Sequence, residues 1–148
     1  MASDTSTPRG FYTHGKEFFA AAEAVFSAPK APILPLAFLW GRTIELLLKS
    51  YLLTVGVSAI ELRSRRFSHN LVALFEEARK RGIDDLLGGD PIDRGLIQLL
   101  NVEYGSKRLE YRHEWASYLL PDPVVTRRLI RKLLARINHR LGQHVGSV

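Results

Sequence analysis

The stretch YGSKRLEYRHEW, Tyr104 to Trp115, gathers residue types that handle phosphate and nucleobases. It holds Lys107, Arg108 and Arg112, the carboxylates Glu110 and Glu114, His113, and the aromatics Tyr104, Tyr111 and Trp115. A guanidinium presents a planar fork of N–H donors to phosphoryl oxygens. An imidazole moves a proton near neutral pH. An aromatic ring stacks on an unpaired base, for about 1–3 kcal/mol per base. On a helix Arg108 and Arg112 share a face, and so do Tyr111 and Trp115, because residues four apart lie one above the other. The competing reading is structural: such aromatics and charges also close the polar joint between two helices.

A second cationic group lies near the C-terminus. Arg127, Arg128, Arg131, Lys132, Arg136 and Arg140 spread over one side of a segment whose other side carries Leu129, Ile130, Leu133, Leu134, Ile137 and Leu141. At 100° per residue the two sets separate. No acidic residue stands between these cations in sequence, so the face reads either as solvated surface or as a surface for phosphate or an acidic partner.

The chain's 148 residues are the length of one domain. Apolar residues at 46% and charged residues at 24% are ordinary for a globular protein. The absence of cysteine excludes disulfides, thiolate metal sites and thiol catalysis. No histidine–carboxylate ligand cluster reads from the sequence, so neither metal nor cofactor is expected. The formal charge is +6, and fifteen of the twenty-one cations are arginine. That bias is compatible with a nucleic-acid surface. The greasiest stretch, Ile33 to Val57, contains Arg42, Glu45 and Lys49, which a bilayer would penalise. It reads as a buried helix, so no membrane association and a cytoplasmic location are expected.

Apolar spacing predicts five helices. The first spans Phe11 to Ser27 and stops at the APKAP stretch. The second, Leu34 to Val55, is apolar nearly all round and belongs in the centre of a bundle. Its Glu45 and Lys49 are four apart with the acid first, the favourable order for an intrahelical pair. ELRSRRFSHN reads as a polar connector, with Ser68 or Asn70 capping a third helix that ends at Gly82. GIDDLLGGDPID reads as a loop. Asp90-Pro91 and Asp122-Pro123 start the fourth and fifth helices. The fourth runs through Tyr104 or as far as Trp115, and the fifth runs to Leu141. No strand is expected. The fold class is all-α, a mostly antiparallel up-and-down bundle over residues 11–142. Residues 1–10 and 143–148 read as tails.

At the second and third helices, FLWGRTIELLLKSYLLTVG (Phe38 to Gly56) and SHNLVALFEEARKRG (Ser68 to Gly82) resemble the HEPN family, the "higher eukaryotes and prokaryotes nucleotide-binding" helical domains. The matching parts are Glu45 to Lys49, then His69, Asn70 and Leu71, then Ala78 and Gly82, over roughly a third of the chain. The resemblance implies a four- or five-helix bundle that homodimerises and serves prokaryotic defence or toxin–antitoxin systems. It implies contact with RNA, nucleotide, an antitoxin or another protein partner.

Active members of that family are metal-independent ribonucleases with an arginine followed, after four to six intervening residues, by a histidine. Arg108 and His113 fit that spacing and lie late in the chain, as the family pair does. The expected chemistry is proton transfer by His113 and charge stabilisation by Arg108 as a 2′-hydroxyl attacks phosphorus. Two other pairs, Arg9 with His14 and Arg63 with His69, also fit, so spacing alone selects none. Leu109 stands where active members carry a polar residue. Residues five apart on one helix also point about 140° away from each other. The leading expectation is an accessory binding domain. The alternatives are a ribonuclease and a purely structural protein–protein module. Within the family motif, Glu45, Lys49, His69 and Asn70 are expected to be structural, with His69 locking the third helix against the Glu45–Lys49 pair.

Overall fold

Capping side chains and prolines set where the helices begin. The computed structural model describes residues 6–110 and 117–146. Among these it contains helices α1 (Pro8–Phe26), α2 (Ile33–Thr54), α3 (Ala59–Leu62), α4 (Leu71–Lys80), α5 (Asp84–Leu87), α6 (Pro91–Gly105) and α7 (Pro123–Gly146), and no strand. The Thr7 hydroxyl accepts from Gly10 N at 2.9 Å, which starts α1 at Pro8, within the stretch read as a tail. Asn70 Oδ1 accepts from Ala73 N (3.1 Å), Asp90 Oδ1 from Ile92 N (2.9 Å), and Asp122 Oδ1 from Val124 N (2.8 Å). Each satisfies an N–H that the first helical turn leaves free.

The chain is all-α; among the described residues there are five long helices and two single turns that the sequence reading did not foresee. The turn α5 falls inside the stretch read as a loop, and α3 runs into the start of the stretch read as a polar connector. Ser58 caps α3 through Glu61 N, and Asp84 opens α5. The connector before α4 is not wholly polar: Leu62 and Phe67 are buried. Its arginines face solvent while these two side chains plug the core, each contributing about 1.5–3 kcal/mol. At the other end of the chain, α6 stops at Gly105, and α7 continues to Gly146.

Contacts fix the directions. Ser50 meets the start of α1 through Pro8 O, and Trp40 meets Phe26 at its end, so α1 and α2 are antiparallel. Glu23 pairs with Arg127 and Tyr12 with Leu134 O, so α1 and α7 are antiparallel too. Glu45 meets His69 while Tyr51 meets Arg81 O, so α4 runs in the same sense as α2. The segment 55–70 must therefore carry the chain back along the bundle, which is why it needs buried anchors. Arg94 pairs with Glu76 and Asn101 receives Leu71 N, which sets α6 antiparallel to α4.

Helix α2 is the central rod. Trp40, Ile44, Leu47, Leu48 and Leu52 on it are fully buried. Gly15 on α1 lets the two helices approach, since a Cβ there would press on the Leu47 side chain at 3.1 Å. Gly41 has a stricter role: a Cβ there would fall inside the Tyr104 ring of α6. That close approach delivers the Tyr104 hydroxyl to a carboxylate on α2.

Candidate functional site

Glu45 sits in the middle of α2 with its side chain 1% exposed. Its Oε2 faces Lys49 Nζ at 2.8 Å and Arg42 Nη1 at 3.5 Å. Its Oε1 accepts from the Tyr104 hydroxyl at 2.5 Å and lies 3.1 Å from His69 Nδ1. Helical spacing places Arg42, Glu45 and Lys49 on one face, and α4 and α6 close over it from the other side. Burial alone would raise the Glu45 carboxyl out of the usual range. The ammonium of Lys49, hydrogen bonds from Lys49 and Tyr104, and the Arg42 charge outweigh it and hold the group below the ordinary value. Burial first, then the adjacent Glu45 charge, pushes the Tyr104 phenol far up, so it stays a neutral donor.

His69 takes a left-handed backbone, φ 52°, which a side chain with a Cβ adopts only when its surroundings hold it there. Its ring is held by Glu45 and packs edge-on to Tyr104 at 5.8 Å. Asn70 beside it caps α4. The four motif residues thus form the joint between α2 and α4. Sequence reasoning paired Glu45 with Lys49 and His69 but missed Tyr104 and Arg42. Arg42, three residues before Glu45, carried a helical-spacing signal. Tyr104, fifty-nine residues away, carried none.

The opening stretch is divided. Tyr111, Arg112 and His113 lie outside the described residues, as does Trp115. Arg108 is engaged within the fold. Its Nη1 faces the buried Glu103 carboxylate at 3.3 Å, its Nη2 donates to Ser117 O at 3.1 Å, and its guanidinium lies 5.0 Å from the Tyr118 ring centroid. Glu103 also accepts from Leu119 N at 3.2 Å. Arg108 therefore ties the end of α6 to residues 117–119.

On α7 the acid absent from the helix comes from α1. Arg127 donates to both oxygens of Glu23, at 2.7 and 2.8 Å, and rests over the Phe26 ring. Arg131 reaches the same carboxylate at 3.2 Å. The two hydrogen-bonded guanidinium groups hold the Glu23 carboxyl below its ordinary range, Arg127 most strongly. Lys132 pairs with Asp93 across to α6. Arg128 and Arg136 are exposed, with no acidic partner among the described residues. On the connector, Arg63 and Arg65 are likewise exposed and without one.

Among the described residues no group of three or more histidine, aspartate or glutamate side chains could hold a metal ion. No helix there is long and apolar enough to cross a membrane. Comparison with known protein families, with characterised proteins and with solved structures finds no match to this chain.

Proposed function

We propose that this chain is a HEPN-like accessory domain of a prokaryotic defence or toxin–antitoxin system, one that binds RNA as a homodimer without cutting it. The observation that carries the binding half is the set of exposed arginines, Arg63, Arg65, Arg128 and Arg136, with no acid beside them among the described residues. Guanidinium groups left unpaired at the surface are free to displace counterions from a phosphate backbone. The engagement of Arg108 with Glu103 and Ser117 O favours binding over cleavage, because that arginine has donors committed inside the fold. The HEPN-like half draws support from the convergence of Glu45, Lys49 and His69 on one joint.

Filter binding of a single-stranded RNA across a salt series, with the RNA recovered and sized, tests the reading. Two to four phosphate contacts give a slope of log K against log salt of about −1.4 to −2.8, with the RNA intact. A flat salt dependence refutes the phosphate surface. Shortened RNA that stays intact with His113→Ala refutes the non-catalytic reading.

A further inference from the structure

We propose that the outward face of α6, together with the segment leading into α7, docks an acidic amphipathic helix of a partner protein. This goes beyond the RNA-binding reading and does not depend on it.

Helix α6 buries Leu96, Ile97 and Leu100 on one side. On the other side Ile92, Gly95, Leu99 and Val102 recur at the three-and-four spacing of a second helical face. Ile92 is 56% exposed and Val102 52%, and Leu99 between them is half-buried. Gly95 has nothing within 4 Å of the position its Cβ would take. A glycine inside a helix costs about 0.5–1 kcal/mol relative to alanine, and no neighbour among the described residues requires this one. It leaves a notch where a second backbone can approach.

The face extends past α6. Leu119, whose N–H donates to Glu103 on α6 at 3.2 Å, is 63% exposed. Helices α6 and α7 run antiparallel, and Lys132 of α7 meets Asp93 of α6. With about 1.5 Å of rise per residue on each helix, that pair sets Val102 and Val124 at nearly the same height. Val124 is 60% exposed. Six large apolar side chains stand exposed among the described residues, and four of them lie on this one face. Clustering of that kind marks an interaction surface, whereas single exposed apolar residues do not.

Charge selects the occupant. The stripe itself carries none: Asp93 and Glu103 are buried, and Arg94 turns to Glu76 on α4. On the α7 border Arg128 stands one turn beyond Val124, and Arg136 two turns beyond that. Both are exposed, with no acidic partner among the described residues. A matching occupant therefore offers apolar side chains at helical spacing and acids along one flank. The stripe from Ile92 to Val102 is about 15 Å long, or three helical turns. A second copy of this chain fits badly. Antiparallel pairing of two α6 helices brings the α7 arginines of both copies to the same edge, where they repel.

The test displays a library of random peptides roughly four helical turns long and selects those that hold the full chain at physiological salt. Enriched peptides should carry large apolar residues at three-and-four spacing, with glutamate or aspartate between them. A synthetic peptide of the enriched sequence should bind roughly tenfold weaker when Val102→Gln is combined with Val124→Gln, the scale of two lost apolar contacts. Arg128→Gln should weaken it as well, and Ile60→Gln, an exposed apolar residue outside this face, should not. Both valines are exposed and glutamine forms helix well, so thermal melting of the double variant should match the parent. No enrichment, enrichment of peptides without acids, or binding indifferent to the two valines overturns the site. A parent dimer that the double variant converts to monomer assigns the face to a second copy and overturns the proposal. Single-stranded RNA is measured on the same variant. Unchanged RNA affinity beside lost peptide binding supports a separate protein-docking face, and joint loss of both gives the face to RNA and overturns the proposal. Peptide binding by a parent that binds no RNA supports the site and overturns the RNA reading alone.

Discussion

Glu45 gathers four partners, two from its own helix, one from α6 and one from the connector before α4, so its substitution reaches further than its size suggests. Removing one member of a buried ion pair costs about 3–5 kcal/mol, because the remaining charge is left without compensation. Lys49→Met should fall at the lower end of that range, since Arg42, Tyr104 and His69 still address the carboxylate. Chemical denaturation of the variant checks this. The Glu45 carboxyl lies below its ordinary range when folded. Its contribution to stability is therefore complete above the unfolded pKa, near 4.3, and is lost as pH falls through the folded value. Melting temperature should drop below about pH 4.3 more steeply in the parent than in Glu45→Gln. Gly41→Ala is the steric counterpart. The added methyl meets the Tyr104 ring, and overpacking of this kind costs about 1–3 kcal/mol. Nothing local in the sequence marks Gly41, because the constraint comes from a ring sixty-three residues away.

At the scale of elements, caps and breakers were legible because their physics is local. Asp90-Pro91 and Asp122-Pro123 start α6 and α7, and Asn70 starts α4. Asn70→Ala should cost about 0.5–2 kcal/mol, the usual range for a lost N-cap, measured by denaturant midpoint. What stayed illegible is tertiary. The parallel course of α2 and α4 depends on Leu62 and Phe67 anchoring a connector whose arginines dominate its composition. The α7 face looked free of acid because its partner, Glu23, sits 104 residues earlier on α1. The placement of Arg108 against Glu103 could be suspected from their spacing, but not that Glu103 would be buried.

For the whole molecule, the charge excess follows from where the acids go. Glu45, Glu103 and Asp93 are buried, each facing at least one cation, and Glu23 holds two arginines. The formal +6 thus leaves exposed arginines such as Arg63, Arg65, Arg128 and Arg136 without acids beside them among the described residues. If these contact an RNA backbone, Arg128→Gln with Arg136→Gln should flatten the salt slope by about 1.4, two single-strand contacts' worth, with melting temperature unchanged.

The joint between α2 and α4 depends on the hydrogen bond between Glu45 and His69. A long-range 1H–15N spectrum of the side chain at a pH where the ring is neutral reads it directly. Protonated Nδ1 with bare Nε2 is the predicted tautomer, and Glu45→Gln should redistribute it. A ring protonated on Nε2 and bare at Nδ1 in the parent protein would contradict the arrangement on which the account is built.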